Sequence, residues 1–488
     1  MKTPTTSDDK DALIAALLER IEVLVVQNAA LTASNASLVA RVAELEAKLG
    51  LPPKTPDNSS LPPSKGHKPS LPSIPKRKAK PHPGAYRLLH TDPTRHHDVL
   101  AVSCQACGAD VSGAEQSPCE TYDRVEISKI EPDVTRVSLH GGTCPCCAKR
   151  FKAEPPAGLE PGSPFGPNIR AFVIYLRAVQ GIPLGRLRDA LLDLFGLTIS
   201  EGALVNMLSA AAAPFKTAVS FIKARLLAGT AIASDETGVR VGRANWWLWV
   251  FHHGDSAVFV ADAHRSKAVV EAFLGDHRPD FWTSDRLGAQ AGWARKEHQV
   301  CLAHLIRDVQ YAIDVGDTVL GPGLKHLLER ACGIGRRRAD LKDSTLKAYE
   351  ADLGRRLDRL MAPDPIHPAG IKLRRMILKV RSQLFVFVQN RDLEATNNGS
   401  ERALRPCAVY RKITNGFRQE WGAHLYADIR SVVETARRRS VRAIDAIRLT
   451  LKASRSAPRL EPQPDPVSNY FGKRIGKNRA QSTFRQLS

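Results

Sequence analysis

The sequence predicts a multidomain α+β protein, and three stretches carry that prediction. An apolar heptad repeat fills the first fifty residues, two Cys-x-x-Cys pairs follow, and a run of apolar strands between residues 230 and 304 carries isolated acids. A chain of 488 residues has room for several such units with separate cores. Charge adds a direction: 71 Lys and Arg against 50 Asp and Glu leave +21, which favours a polyanionic partner, most simply nucleic acid. No apolar run approaches the roughly 18–20 residues of a membrane span, and the N-terminus lacks the apolar core of a secretion signal. A cytoplasmic protein without a membrane partner is expected.

Residues 11–50 place Ile14, Ile21, Asn28, Asn35, Val42 and Leu49 on one heptad position and Leu17, Leu24, Leu31, Leu38 and Leu45 on the other. This narrow stripe predicts a coiled coil rather than a helix packed on its own chain. Asn at two a-like positions favours a parallel homodimer, because a buried Asn finds its partner across a two-stranded seam. Residues 51–84 are rich in Pro, Ser and Lys and too poor in apolar side chains to offset ordering, so they read as an extended linker.

Within 85–160, Cys104-x-x-Cys107 and Cys144-x-x-Cys147 are separated by strand-like segments. Four thiolates in that spacing predict a zinc ribbon, a DNA-binding domain with structural Zn²⁺, and leave Cys119 and Cys146 spare. Residues 163–228 read as helical. One face carries Ile169, Phe172, Val173 and Leu176; a second carries Leu187, Leu191, Leu194 and Phe195 and is closed by Gly196. Ser200 fits the N-cap of the next helix. This region is either a helix-turn-helix or a helical bundle.

Residues 229–303 predict an α/β core: strands near 231–240, 246–253 and 257–262, a helix from Ser266, a strand at Phe281–Asp285 and another at His298–Leu302. Three strands, helix, strand, helix, strand is the order of a ribonuclease-H-like catalytic core. Residues 304–395 form a mostly helical insertion. Residues 396–455 return to the core with Glu401, a basic run through Arg402, Arg405, Arg411 and Lys412, and a C-terminal helix. Residues 456–488 are a polar basic tail. Its Gly472-Lys-Arg-Ile-Gly-Lys477 imitates a phosphate loop with the wrong spacing, which excludes ATP binding there.

Asp235 sits in an apolar strand, Asp285 ends another, and Glu401 opens a helix. A buried carboxylate needs a counter-charge. Three acids on strand, strand and helix form the pattern of a site for two Mg²⁺ ions, or Mn²⁺ in their place, which clamp the oxygens of an in-line displacement at phosphorus. Plainer readings exist for each: an Asp235 ion pair with Arg240 or Arg243, a turn cap at Asp285 with Asp280 or Asp276 as ligand, and a capping box from Asn398 to Glu401. Glu236 alternates to the other strand face and is left out. Cys301-x-x-His304 lacks a second ligand pair and is not read as a zinc site.

Taken in order, the heptads, Thr55-Pro-Asp-Asn-Ser-Ser-Leu-Pro-Pro-Ser64, the double Cys-x-x-Cys, Ile182-Pro-Leu-Gly-Arg186, Ser234-Asp-Glu-Thr237, Cys301-Leu-Ala-His-Leu-Ile-Arg307 and Thr396-Asn-Asn-Gly-Ser-Glu-Arg-Ala-Leu-Arg405 make the chain resemble the large transposase of insertion-sequence family sixty-six. Where many members carry Gly-Tyr after the second acid, this chain reads Arg286-Leu287. The resemblance implies a DNA transposase of the DDE type with Asp235, Asp285 and Glu401 as its metal-binding triad. It implies element terminal inverted repeats and target DNA as partners, companion element-encoded proteins, a nucleoid-associated location, and His304 and Arg307 at the scissile phosphate. The rival readings are a non-catalytic zinc-ribbon regulator and a ribonuclease-H-like nuclease that cuts without joining.

Overall fold

The structure, a computed structural model, describes residues 7–49, 52, 54–59, 87–127 and 130–456. The remaining linker residues and the tail with its Gly472–Lys477 stretch lie outside them. The chain divides into two compact units, Lys68–Gly166 with Pro183–Asn206, and Met1–His67 with Pro167–Ile182 and Met207–Ser488.

Helix α1 runs Ser7–Leu49, 43 residues, or about 65 Å at 1.5 Å per residue. Its heptad leucines stay exposed, from 45% at Leu45 to 66% at Leu31, so the stripe is not covered by the other described residues. Just beyond, Thr55–Ser59 are not extended as composition suggested. Thr55 N donates to Asn58 Oδ1 at 2.6 Å, closing a turn, and Asn58 Nδ2 donates to Asp314 Oδ2 at 2.8 Å. The Lys54 ammonium lies 5.5 Å from the centre of the Tyr311 ring. Composition forecasts average disorder; it does not see a turn closed by one side chain and anchored by it elsewhere.

Strands β1 (Gly141–Thr143) and β2 (Arg150–Lys152) pair antiparallel around the second cysteine pair. Helix α2 (Pro167–Ile174) continues into a π-helical turn, Tyr175–Val179, and buries Ala171, Val173, Ile174 and Ala178. Helix α3 (Leu184–Phe195) buries Leu187 and Leu191 and ends at Gly196, whose φ of 63° is the left-handed cap. Leu194, expected on the same face, is 65% exposed. Ser200 caps α4 (Glu201–Ala210), its hydroxyl accepting from Ala203 N at 3.2 Å. With α5 (Ala212–Leu227) this makes a helical run, Glu201–Leu227, long and apolar enough by hydropathy to cross a membrane, contrary to the expectation above. Helix α5 buries Phe215, Ala218, Ile222 and Leu226 within the protein, as a core helix does.

Strands β3 (Ala231–Val241), β4 (Ala244–His253) and β5 (Ser256–Asp262) form an antiparallel meander; α6 (Lys267–Leu274) then leads to β6 (Phe281–Ser284) and β7 (Glu297–Val300). The sheet order is β5-β4-β3-β6-β7, with β6 parallel to β3 and β7 parallel to β6. Phe251 of β4 stacks on Phe273 of α6 with ring centres 3.9 Å apart, and Trp249 and Trp282 are fully buried. The insertion comprises α7 (Leu302–Asp314), α8 (Gly321–Arg337), α9 (Asp343–Met361), α10 (Pro368–Lys379) and α11 (Val386–Gln389). Its apolar core runs on from Val300 and Leu302, so it grows out of the sheet edge at β7.

Helices α12 (Asn398–Thr414), α13 (Glu420–Arg438) and α14 (Ala443–Ser456) close the fold. Strand β5 is an edge, and α13 satisfies its free amides: Ser431 Oγ accepts from Phe259 N at 2.7 Å and Thr435 Oγ1 from Ala257 N at 3.1 Å. At the far end of β3, Phe417 N donates to Arg240 O at 2.8 Å. Neighbouring Gly416, at φ 98°, has no room for a Cβ, which would collide with that carbonyl oxygen.

Candidate active site and cysteine knuckles

Strand β6 stops pairing with β3 at Ala233–Thr283, so Asp235 and Glu236 run past it into an opening bounded by Asp285. Ligand atoms of Asp235, Glu236 and Asp285 lie within 4.8 Å of one another, close enough to share a cation. Glu236 therefore corrects the alternation argument. Gln290 Nε2 donates to its Oε2 at 2.6 Å and Arg265 Nη2 lies 2.6 Å from its Oε1, drawing the carboxylate to the opening. Asp235 accepts from Glu236 N at 2.9 Å, and Asp285 accepts from Leu287 N at 2.9 Å.

Electrostatics follow from that crowding. Burial, then the neighbouring Glu236, Asp285 and Glu401 charges, push the Asp235 carboxyl well above the ordinary carboxylate value. Burial also raises Glu236, partly offset by Arg265. A divalent cation would supply the charge this cluster lacks, and all-oxygen donors suit Mg²⁺ or Mn²⁺.

Of the plainer readings, the turn cap at Asp285 is present in its bond from Leu287 N, while the others do not describe what the side chains touch. Arg240 donates to the Gly242 carbonyl rather than to Asp235. Asp280 is held by Arg295 and by Lys296, whose ammonium is 2.9 Å away, at the opposite end of β6 from Asp285. Helix α12 has Asn397, not Asn398, at its N-cap, and no side-chain cap. Arg286, beside Asp285, pairs with Asp308.

Glu401 stands apart from the tight cluster. Its Oε1 is 3.4 Å from Arg307 Nη2 and 3.7 Å from His304 Nε2, both on α7. Burial and the Arg307 charge keep His304 below its ordinary pKa. His304 Nδ1 and Arg307 Nε, on the inner side of the same two residues, are buried with no hydrogen-bond partner. Arg402, on the neighbouring turn surface, lines a cavity of about 640 Å³ with Arg336, Arg338, Glu329 and Glu394. Arg405 and Lys412 are exposed on α12, whereas Arg411 donates to the Gly238 carbonyl and is already committed to β3.

The two cysteine pairs fold alike. Gly108 N donates to Cys104 O at 2.8 Å and Cys104 N to Ala109 O at 2.8 Å; Ala148 N donates to Cys144 O at 2.9 Å and Cys144 N to Lys149 O at 2.8 Å. The residue after each pair is left-handed, Gly108 at φ 76° and Ala148 at φ 56°. Backbone amides of Cys107 and Ala106 point at the Cys104 sulfur, those of Cys147 and Cys146 at Cys144, and both thiols are held below their ordinary value. Such turns suit thiolate ligands of zinc. Among the described residues, however, the four sulfurs are not gathered into one cluster. Cys301 serves elsewhere, accepting from Asn397 N at 3.0 Å.

No curated protein matches the chain. A family model described as Transposase IS66 family matches residues 162–425, which takes in the sheet, the acid cluster, the insertion and α12. That match covers more than half of the sequence: the chain belongs to the IS66 family of transposases.

Proposed function

We propose that this transposase binds the terminal inverted repeats of its insertion sequence and carries out metal-dependent DNA cleavage and strand transfer at Asp235, Asp285 and Glu401. The observation that carries the reading is the convergence of Asp235 and Asp285 at the open end of β3 and β6, with Glu401 close enough to raise the Asp235 pKa. The strand order supports a ribonuclease-H-like core of the DDE type. Two divalent cations held by these acids would supply Lewis-acid charge at phosphorus and lower the pKa of the attacking hydroxyl.

The chain's own residues do the rest. Asp235, which feels the charge of both other acids, would hold the two cations jointly with Asp285 and with Glu401. His304 and Arg307 lie one turn apart on α7, both turned to Glu401, where their charge and N–H groups would meet the non-bridging oxygens of the scissile phosphate. In cleavage, water oxygen bonds to phosphorus, the bond to the element's 3′ oxygen breaks, and that oxygen leaves as a 3′-hydroxyl. In joining, the 3′-hydroxyl loses its proton, bonds to a target phosphorus and displaces the target's own 3′ oxygen. Neither step needs a bond to the protein. The cysteine knuckles close on zinc as a ribbon for DNA, the exposed α1 stripe pairs two chains, companion proteins of the element join the assembly, and the complex works on the nucleoid.

The test is strand transfer with Mg²⁺ on a labelled duplex carrying the element's end, companion proteins included. Wild type gives joined products, and Asp235→Asn, Asp285→Asn and Glu401→Gln each lose them while still binding the end. A wild type that binds without cutting, or mutants that join unchanged, would overturn the reading.

A further inference from the structure

Asn397 occupies the N-cap of α12 yet does not cap it. An asparagine there ordinarily turns its side chain to the helix's own free amides. Here Nδ2 reaches across the fold and donates to the carbonyl of Ser234, at 2.8 Å, the residue before Asp235. Its Oδ1 accepts from the hydroxyl of Ser400, at 2.6 Å, the residue before Glu401. The ring of His252 on β4 meets Ser400 Oγ at 2.8 Å. All four residues are buried, none more than 7% exposed.

Proton counting gives this chain one direction. The Ser234 carbonyl can only accept, so the Asn397 amide must present Nδ2 there and Oδ1 to Ser400. The single Ser400 proton then goes to Asn397, so His252 must donate from Nε2–H. Burial keeps His252 neutral, which fits a one-proton ring. Gly399 makes room: a Cβ there would lie 3.2 Å from His252 Cε1. The Asn397 amide N–H to Cys301 and the Leu302 N–H to Ala395 O, at 3.0 Å, tie the same segment to the start of α7.

We propose that Asn397 is a positioning residue: the one-way chain from His252 through Ser400 and Asn397 to Ser234 locks the start of α12 to β3, and so fixes Glu401 relative to Asp235 for cation binding. The inference rests on the function proposed above. Groups that orient metal ligands from behind typically change metal affinity by roughly 10–100-fold when removed.

The experiment titrates Mn²⁺ into the full-length protein and reads free Mn²⁺ by electron paramagnetic resonance, with folding followed by thermal melting. Asn397→Leu and His252→Leu are expected to bind Mn²⁺ roughly 10–100-fold more weakly, and His252→Gln, which keeps a donor towards Ser400, to stay near wild type. The Mg²⁺ needed for half-maximal joining rises in step, with binding of the element end unchanged. A merely structural role would lower the melting temperature and leave the affinity of the folded protein alone. Wild-type Mn²⁺ affinity in folded Asn397→Leu and His252→Leu would overturn the proposal; should either fail to fold, Ser400→Ala carries the same measurement. Asp235→Asn is the control: if it binds Mn²⁺ like wild type, the acid-site reading itself fails, whatever Asn397 does.

Discussion

The acid cluster and the cysteine knuckles are built in opposite ways. Asp235, Glu236 and Asp285 are brought together by a sheet whose cores are packed and whose register is fixed before any cation arrives. The knuckles are complete as local turns, each with its own left-handed residue, yet among the described residues their four sulfurs stay ungathered and the segment around them is largely exposed. In one region the fold itself gathers the carboxylates and bears the electrostatic cost of their proximity. In the other a zinc ion, if the cysteines take one as proposed, would have to assemble the fold, because the segment is largely exposed.

Zinc removal tests the second half of that contrast and has the largest expected effect. Structural zinc can contribute on the order of 10 kcal/mol to folding a small domain. Chelation, or Cys144→Ser, should therefore make residues 87–160 fully susceptible to protease and abolish end binding, with melting of the sheet unit unchanged. Loss of the sheet transition along with the knuckles would break the comparison.

A smaller effect is expected at the acid cluster. Because the Asp235 carboxyl sits above its ordinary value, the folded protein binds that proton more tightly than the unfolded chain does. The stabilisation is full below the ordinary carboxylate range and is lost as pH rises through the raised value. Asp235→Asn should raise the melting temperature of metal-free protein at pH 7, by roughly 2–4 °C per kcal/mol relieved, and flatten its fall as pH rises above the ordinary carboxylate range. Glu236, raised for the same reason, leaves a residual slope. Smallest of all, Cys146→Ser should leave zinc content and end binding at wild-type values, since only the outer cysteines of Cys144-x-x-Cys147 have the ligand spacing. Zinc loss in that variant would redraw the ligand set.

Local patterns were legible where they repeat or where spacing is tight. The three-strand meander, the Ser200 cap, the Gly196 stop and both knuckles follow from alternation, capping chemistry and Cys-x-x-Cys spacing. What escaped depended on distant partners. Glu236 was set aside because strand alternation assumes a neighbour on each side, and β6 ends too early to provide one. Asn398 reads as a helix cap by spacing, but the N-cap position falls on Asn397, whose side chain is committed to Ser234, 163 residues away in the chain. Arg411 looked like a free cation until β3 supplied the Gly238 carbonyl. Leu194 fits its helix period but lies on a turn that nothing covers.

The turn at Thr55–Ser59, anchored to Asp314 and Tyr311 at the end of α7, has a mechanical meaning. Five residue steps separate Leu49 from Lys54, a reach of at most about 18 Å. In a two-stranded α1 assembly, each catalytic core therefore hangs on a short leash from the shared rod. A second DNA end would then meet its proposed active site at an effective concentration set by leash length rather than by free diffusion, and avidity would replace a second search.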